Sequence, residues 1–137
     1  PEFKARQKQT VKNAKVMAEE FIKLGFTVIG NKTENHLMLV DVKKSCGLTG
    51  KQAEKILDEV NITCNKNSIP NDTEKPFITS GLRIGTPAIT TRGFKEEETI
   101  KVVHLINKAL RNHKDEAIKA EVKKEVLELL KKFPLYV

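Results

Sequence analysis

Apolar residues recur along the first two dozen positions at helical spacing, with Val11, Ala14, Ala18, Phe21 and Ile22 on one face and Lys, Gln and Glu on the others. This pattern predicts an amphipathic helix over about residues 2–24, ended by Gly25. Two short β-branched and apolar runs follow, Phe26 to Ile29 and His36 to Val42, separated by the turn-like Gly30-Asn31-Lys32. They predict two strands. In the second, Leu37 and Leu39 share one face while Met38, Val40 and Val42 share the other, which predicts a central strand covered on both sides. Thr49 followed three residues later by Gln52 is a capping-box pattern, and Ala53, Ile56, Leu57 and Val60 then recur at helical spacing, so a helix over about 50–60 is expected.

Period two returns from Ile62 to Asn67, with Ile62 and Cys64 on one face, before a polar stretch from Asn65 to Lys75 that holds Pro70, Asn71 and Asp72 and reads as a loop. A further strand runs from Gly81 up to Pro87, which has no N–H to give to a ladder. The rest is helical. Ile100, Val103, Ile106 and Leu110 make one apolar face, and Ile118, Val122, Val126, Leu129, Leu130 and Phe133 another, with Pro134 stopping the last helix.

This order predicts an α/β domain of the two-layer α+β kind, a small antiparallel or mixed sheet covered by helices. A length of 137 residues suits one domain with its own core. With 39% apolar and 31% charged residues the composition is that of an ordinary globular chain. No run approaches the roughly 18 to 20 apolar residues of a membrane span. There is no internal repeat, no Walker or dinucleotide glycine motif, and no G-x-S-x-G nucleophile elbow. The chain starts at Pro1 without an apolar signal core, and so reads as beginning within a longer protein.

The net charge of +7 raises the question of a nucleic-acid partner. Acids are interleaved with the bases throughout, however, at Glu19 and Glu20, at Glu96 to Glu98 and from Asp115 to Glu128, and aromatics do not alternate with basic residues as a stacking platform requires. The charge therefore reads as solvated helix faces, with no nucleic acid and no membrane as partner. Cys46 and Cys64 lack paired metal-ligand spacing and fit a reducing, cytoplasmic setting, while His36, His104 and His113 are scattered. No metal site is expected from these five side chains.

The segment Thr79-Ser80-Gly81-Leu82-Arg83-Ile84-Gly85-Thr86-Pro87-Ala88 is the most informative in the chain. Alternation places Arg83 on the face opposite Leu82 and Ile84, and the glycines leave room for a ligand or another backbone to approach. A guanidinium fixed on a strand is a planar, permanently charged fork suited to a carboxylate or phosphate. The residues alone fit equally an edge-strand arginine paired with a local carboxylate.

That segment, with Thr90-Thr91-Arg92-Gly93 after it, resembles the C-terminal signature of the serine hydroxymethyltransferase (glycine hydroxymethyltransferase) family. The resemblance extends through Glu34 to Asp41, Gly47 to Glu54 and Asn65 to Pro70, takes in Pro1-Glu2-Phe3 and Gln7-Lys8-Gln9, and so covers essentially the whole chain. It implies the C-terminal small domain of a fold-type I pyridoxal-phosphate enzyme that interconverts serine and tetrahydrofolate with glycine and methylenetetrahydrofolate. Residues 1–24 would be the leading helix and 25–137 the α/β domain. The large domain, with its Schiff-base lysine, has no counterpart here, so no catalytic residue is expected in this chain and the piece alone would be inactive. The full enzyme would be a cytoplasmic homodimer or homotetramer.

Residue by residue, the resemblance implies that Arg83 binds the substrate carboxylate, orienting the bond broken at Cα against a cofactor ring that acts as electron sink. It implies that Asn67 hydrogen-bonds the pterin of the folate, an edge that needs both the donor and the acceptor of an amide. Lys75, Pro76 and Phe77 fall where the family lines the folate site; Lys75 stands where serine is common, a change that leaves backbone contacts available. The residues alone also allow an Asx turn at Asn67. Structural roles are expected for Asn35, His36 and Arg92, and packing roles for Cys46 and Cys64. Two competing readings are another fold-type I enzyme such as threonine aldolase, and a stand-alone basic module that binds nucleic acid.

Overall fold

A computed structural model describes residues 2–29, 37–62, 64–69, 72–75, 78–85 and 95–132. The first helix, α1 (Glu2–Lys23), ends in a Schellman motif that Gly25 makes possible with a φ of +89°. The Gly25 N–H donates to the Ile22 carbonyl (3.0 Å) and the Phe26 N–H to that of Phe21 (2.9 Å). The apolar contact that accompanies such a motif is the edge-to-face pair of Phe21 and Phe26, with ring centroids 5.2 Å apart. The apolar face differs in detail from the sequence expectation. Ala14, Ala18 and Phe21 are buried together with Met17, whereas Ile22 is about half exposed, because the helix turns its 13–14–17–18–21 side to the core.

Strands β1 (Thr27–Val28) and β2 (Leu37–Asp41) pair antiparallel. The second is shorter than its apolar run. Asp41, its last paired residue, accepts a hydrogen bond from the Lys44 N–H (3.0 Å), which caps a helix the sequence pattern does not predict, α2 (Val42–Cys46). Gly47, at φ +72°, closes it. Helix α3 (Gly50–Glu59) carries the expected capping box, with the Gln52 N–H donating to Thr49 Oγ1 (3.2 Å) and the Thr49 N–H to Gln52 Oε1 (3.0 Å). Strand β3 (Asn65–Asn67) lies at the end of the period-two run and inside the stretch expected to be loop; its register is taken from β4 (Gly81–Gly85). Helices α4 (Glu96–Arg111) and α5 (Glu116–Lys132) close the order, burying Val103, Ile106 and Leu110 and then Val122, Val126 and Leu129.

The sheet order is β1-β2-β4-β3 with every described ladder antiparallel, so the architecture is the expected two-layer α/β one. Register aligns Val28, Val40 and Leu82 on one face, and these pack with Ile84 against residues of α1, α3 and α4 in a single core. β2 is interior, as expected, but only this face is fully covered. On the other face Leu39 is half-buried and Arg83 beside it is exposed. Arg111, at the end of α4, ties two helix ends to this core. Its guanidinium lies 4.8 Å over the Phe26 ring and donates to the carbonyls of Ser45 (2.7 Å) and Leu24 (3.1 Å), where α2 and α1 leave acceptors unpaired.

Candidate functional site

Across an antiparallel sheet, directly paired residues project from the same face. Leu39, Arg83 and Asn65 therefore form one row on the face away from the helices, and Asp41, Gly81 and Asn67 the next. Sequence positions 67 and 83 are thus brought to one open surface, two rungs apart, with the Lys66–Leu82 rung between them facing the other way. Arg83 is exposed between the buried Leu82 and Ile84, as alternation predicts. It stands on an interior strand, not an edge, and none of the ion pairs among the described residues involves it. Asn67 is half-buried at the end of β3, with its side-chain N–H₂ donating to the Ser68 carbonyl (2.9 Å). It is a strand residue and not the head of an Asx turn.

Gly81 sits between them because a side chain there has no space. A Cβ would stand 2.6 Å from the Asn67 carbonyl oxygen, 2.7 Å from Ile69 Cγ2 and 2.9 Å from Leu39 Cδ1. Lys75 is exposed, and its carbonyl accepts from the N–H groups of Ile78 and Thr79 (both 2.9 Å). Pro76 and Phe77 lie outside the described residues, as do Asn35, His36, Pro87 and Arg92.

Local structure at the root of β4 is unusually tied down. Thr79 is buried with φ +59°, a conformation that costs a β-branched residue about 1–3 kcal/mol and persists only where its surroundings enforce it. The α3 N-terminus does so, through Gly50 N–H to the Thr79 carbonyl (2.9 Å) and Lys51 N–H to that of Ile78 (3.0 Å). Gly50 is required by this docking, since a Cβ there would fall within 3.0 Å of Thr79 Oγ1 and the Gly81 carbonyl. The Ser80 carbonyl accepts from the Lys43 N–H (3.2 Å).

Asp72, read from the sequence only as a loop residue, completes the arrangement. Its Oδ1 accepts from the Glu74 N–H (2.8 Å) and the Ser80 hydroxyl (2.7 Å), and its Oδ2 from the N–H groups of Ser80 (2.9 Å) and Ile69 (3.2 Å). Desolvation pushes this carboxyl up, but the four hydrogen bonds outweigh it and hold it low, at about 2. The available signal was the Pro70-Asn71-Asp72 turn composition, which marks an Asx turn but not its distant partner at Ser80. Cys64 is buried, and desolvation with the nearby Glu54 carboxylate pushes its thiol up to about 12, which makes it a packing group.

A sequence model of serine hydroxymethyltransferase matches residues 1–106 of the chain. The chain belongs to the serine hydroxymethyltransferase family. Two curated members illustrate the relationship. "Serine hydroxymethyltransferase" of Ralstonia pickettii (strain 12J) is 56% identical over 136 residues, and "Serine hydroxymethyltransferase 1" of Ralstonia nicotianae (strain ATCC BAA-1114 / GMI1000) is 55% identical over 136. In each case 99% of this chain is covered but only 32% of the relative, so the chain spans about a third of the length of the family members it matches. Among the described residues no helix is long and apolar enough to cross a membrane.

Proposed function

We propose that the chain is the C-terminal small domain of a serine hydroxymethyltransferase, residues 1–24 as its leading helix and 25–137 as its α/β part, in an enzyme that interconverts serine and tetrahydrofolate with glycine and 5,10-methylenetetrahydrofolate. The observation that carries this is the open sheet face, where Arg83 stands exposed on an interior strand and shares its surface with Asn67. Arg83 receives the carboxylate of the amino acid through two parallel N–H donors, which fixes the orientation of Cα. Asn67 offers the folate ring an acceptor and a donor. The Lys75-Pro76-Phe77 segment, following the turn that Asp72 anchors, lies alongside in sequence and supplies further contacts.

Pyridoxal phosphate is the cofactor of this reaction class. Its internal Schiff base needs a sheltered lysine with a depressed pKa. All described lysine side chains are exposed or half-buried, and the half-buried Lys66, Lys108 and Lys119 are ion-paired with Glu54, Glu121 and Glu59. These residues do not fit the group, so the remainder of the longer enzyme holds it, and the part of this chain is to bind and orient. Assembly as a cytoplasmic homodimer or homotetramer belongs to the same reading, and the 137-residue chain alone has no transferase activity.

The test is Arg83→Lys in the full-length enzyme. An ammonium keeps the charge and loses the fork, and kcat/KM for serine falls by about two orders of magnitude, as for a charge-assisted bidentate contact of about 3 kcal/mol. Unchanged steady-state kinetics would refute the assignment.

A further inference from the structure

Asn67 and Arg83 sit on strands joined by only three rungs, Asn65 with Arg83, Lys66 with Leu82 and Asn67 with Gly81. Among the described strands β3 is also the edge of the sheet. A three-residue edge strand has little of its own to hold its position, yet a clamp that orients one ligand with two strands needs their separation held to a fraction of an ångström. On one side Glu54 of α3 accepts from the Lys66 N–H (2.8 Å). On the other, the chain leaving β3 and the chain entering β4 meet at Asp72, whose carboxylate takes hydrogen bonds from Ile69, two residues past Asn67, and from Ser80, the residue before Gly81.

Resting on the function proposed above, we infer that Asp72 is a positioning residue for substrate and folate: its carboxylate staples the end of β3 to the root of β4 and thereby sets Asn67 against Arg83. Both oxygens are fully used, and Ser80, which provides two of the four donors, is buried. An amide cannot replace the carboxylate. It accepts through one oxygen only and turns an N–H₂ toward groups that themselves donate. The depressed carboxyl pKa agrees with a group that is charged in this place at every physiological pH. Lys43 braces the same turn from α2, through Glu74 (2.6 Å) and the Thr73 hydroxyl (3.3 Å).

The experiment uses the full-length holoenzyme with four variants: Asp72→Asn, Ser80→Ala, Arg83→Lys and Arg111→Ala. Steady-state kinetics are measured well below each variant's melting temperature. Asp72→Asn is expected to raise KM for serine and for tetrahydrofolate together, each by about tenfold, with kcat within about threefold of the parent. Ser80→Ala, which removes one donor and leaves the backbone N–H in place, raises both by about threefold. Arg111→Ala lowers stability by removing donors to the Leu24 and Ser45 carbonyls, touches none of the Asp72 hydrogen bonds and leaves both KM values alone, so loss of stability by itself does not produce the pattern. If Asp72→Asn or, should that variant fail to fold, Ser80→Ala leaves both KM values unchanged while Arg83→Lys lowers kcat/KM for serine by about two orders of magnitude, the inference is wrong and the proposed function stands. If Arg83→Lys is without effect, the proposed function falls first.

Discussion

Replacing Gly81 by Ala tests the close approach of β3 to β4 directly. The backbone of Gly81 is ordinary strand, so the effect is one of space and not of left-handed conformation. The new Cβ would lie 2.6 Å from the Asn67 carbonyl oxygen, 2.7 Å from Ile69 Cγ2 and 2.9 Å from Leu39 Cδ1, where carbon contacts normally begin at about 3.5 Å. Leu39 and Ile69 can yield by rotating, but the Asn67 carbonyl is backbone in the rung opposite Gly81. Overpacking of this kind costs about 1–3 kcal/mol, and weakening the rung about 1 more. Removing a glycine from a strand returns about 0.5–1 kcal/mol. The net loss is about 2 kcal/mol, read in urea as a lower midpoint at unchanged slope, or as a melting temperature lower by about 6 °C for a chain of this size. Adding Ile69→Ala to Gly81→Ala should recover only part of the loss, because the carbonyl still obstructs. Stability equal to the parent in the single variant, or complete recovery in the double, would show that β3 is not held this close.

Two further outcomes follow from contacts away from the sheet face and from the staple itself. Arg111→Ala leaves the Leu24 and Ser45 carbonyls without their charged donor and uncovers the Phe26 ring, for a loss of about 2 kcal/mol by denaturation; Arg111→Lys recovers less than half, since an ammonium cannot meet both carbonyls while stacking. The Asp72 carboxyl is held at about 2 in the folded chain against 3.8 for the free group, so its contribution is present in full above about pH 4 and is lost as pH falls from there through 2. Lys43, with its pKa raised by the Glu74 hydrogen bond and by the Asp72 and Asp41 charges, stays protonated across that window. The stability difference between parent and Asp72→Asn should therefore be constant above pH 5 and shrink below pH 4 in acid titrations followed by circular dichroism; a constant difference down to pH 2 would show that the carboxylate is not what the turn depends on.

Features settled within a few consecutive residues are legible in the sequence. The end of α1 at Gly25, the capping box of Thr49 and Gln52 and the core faces of α4 and α5 are local events, set by backbone freedom, by side chains that reach three residues and by helical periodicity. The exposure of Arg83 between Leu82 and Ile84 belongs to the same class, since alternation alone assigns it. Helix α2 is not legible in this way because five residues are too few to show a period, and only the Asp41 cap and Gly47 mark it. Ile22 falls on the wrong side of α1 in the sequence pattern because the helix presents a slightly rotated stripe to neighbours that its own residues do not name.

For the site, the sequence by itself determined which chemistry is on offer: a guanidinium on a strand between apolar neighbours, an asparagine after a period-two run, and motifs of the serine hydroxymethyltransferase family around both. Only the tertiary structure decided that β4 is interior, that β3 joins it in the register that sets Asn67 two rungs from Arg83 on the same face, and that Asp72 holds the two strands through Ser80. The physical reason is range. Caps and periodicity are energies between near neighbours in the chain, whereas strand order, register and the distant partners of the half-buried Asp72 carboxylate are chosen by segments far apart in sequence competing to bury one common core.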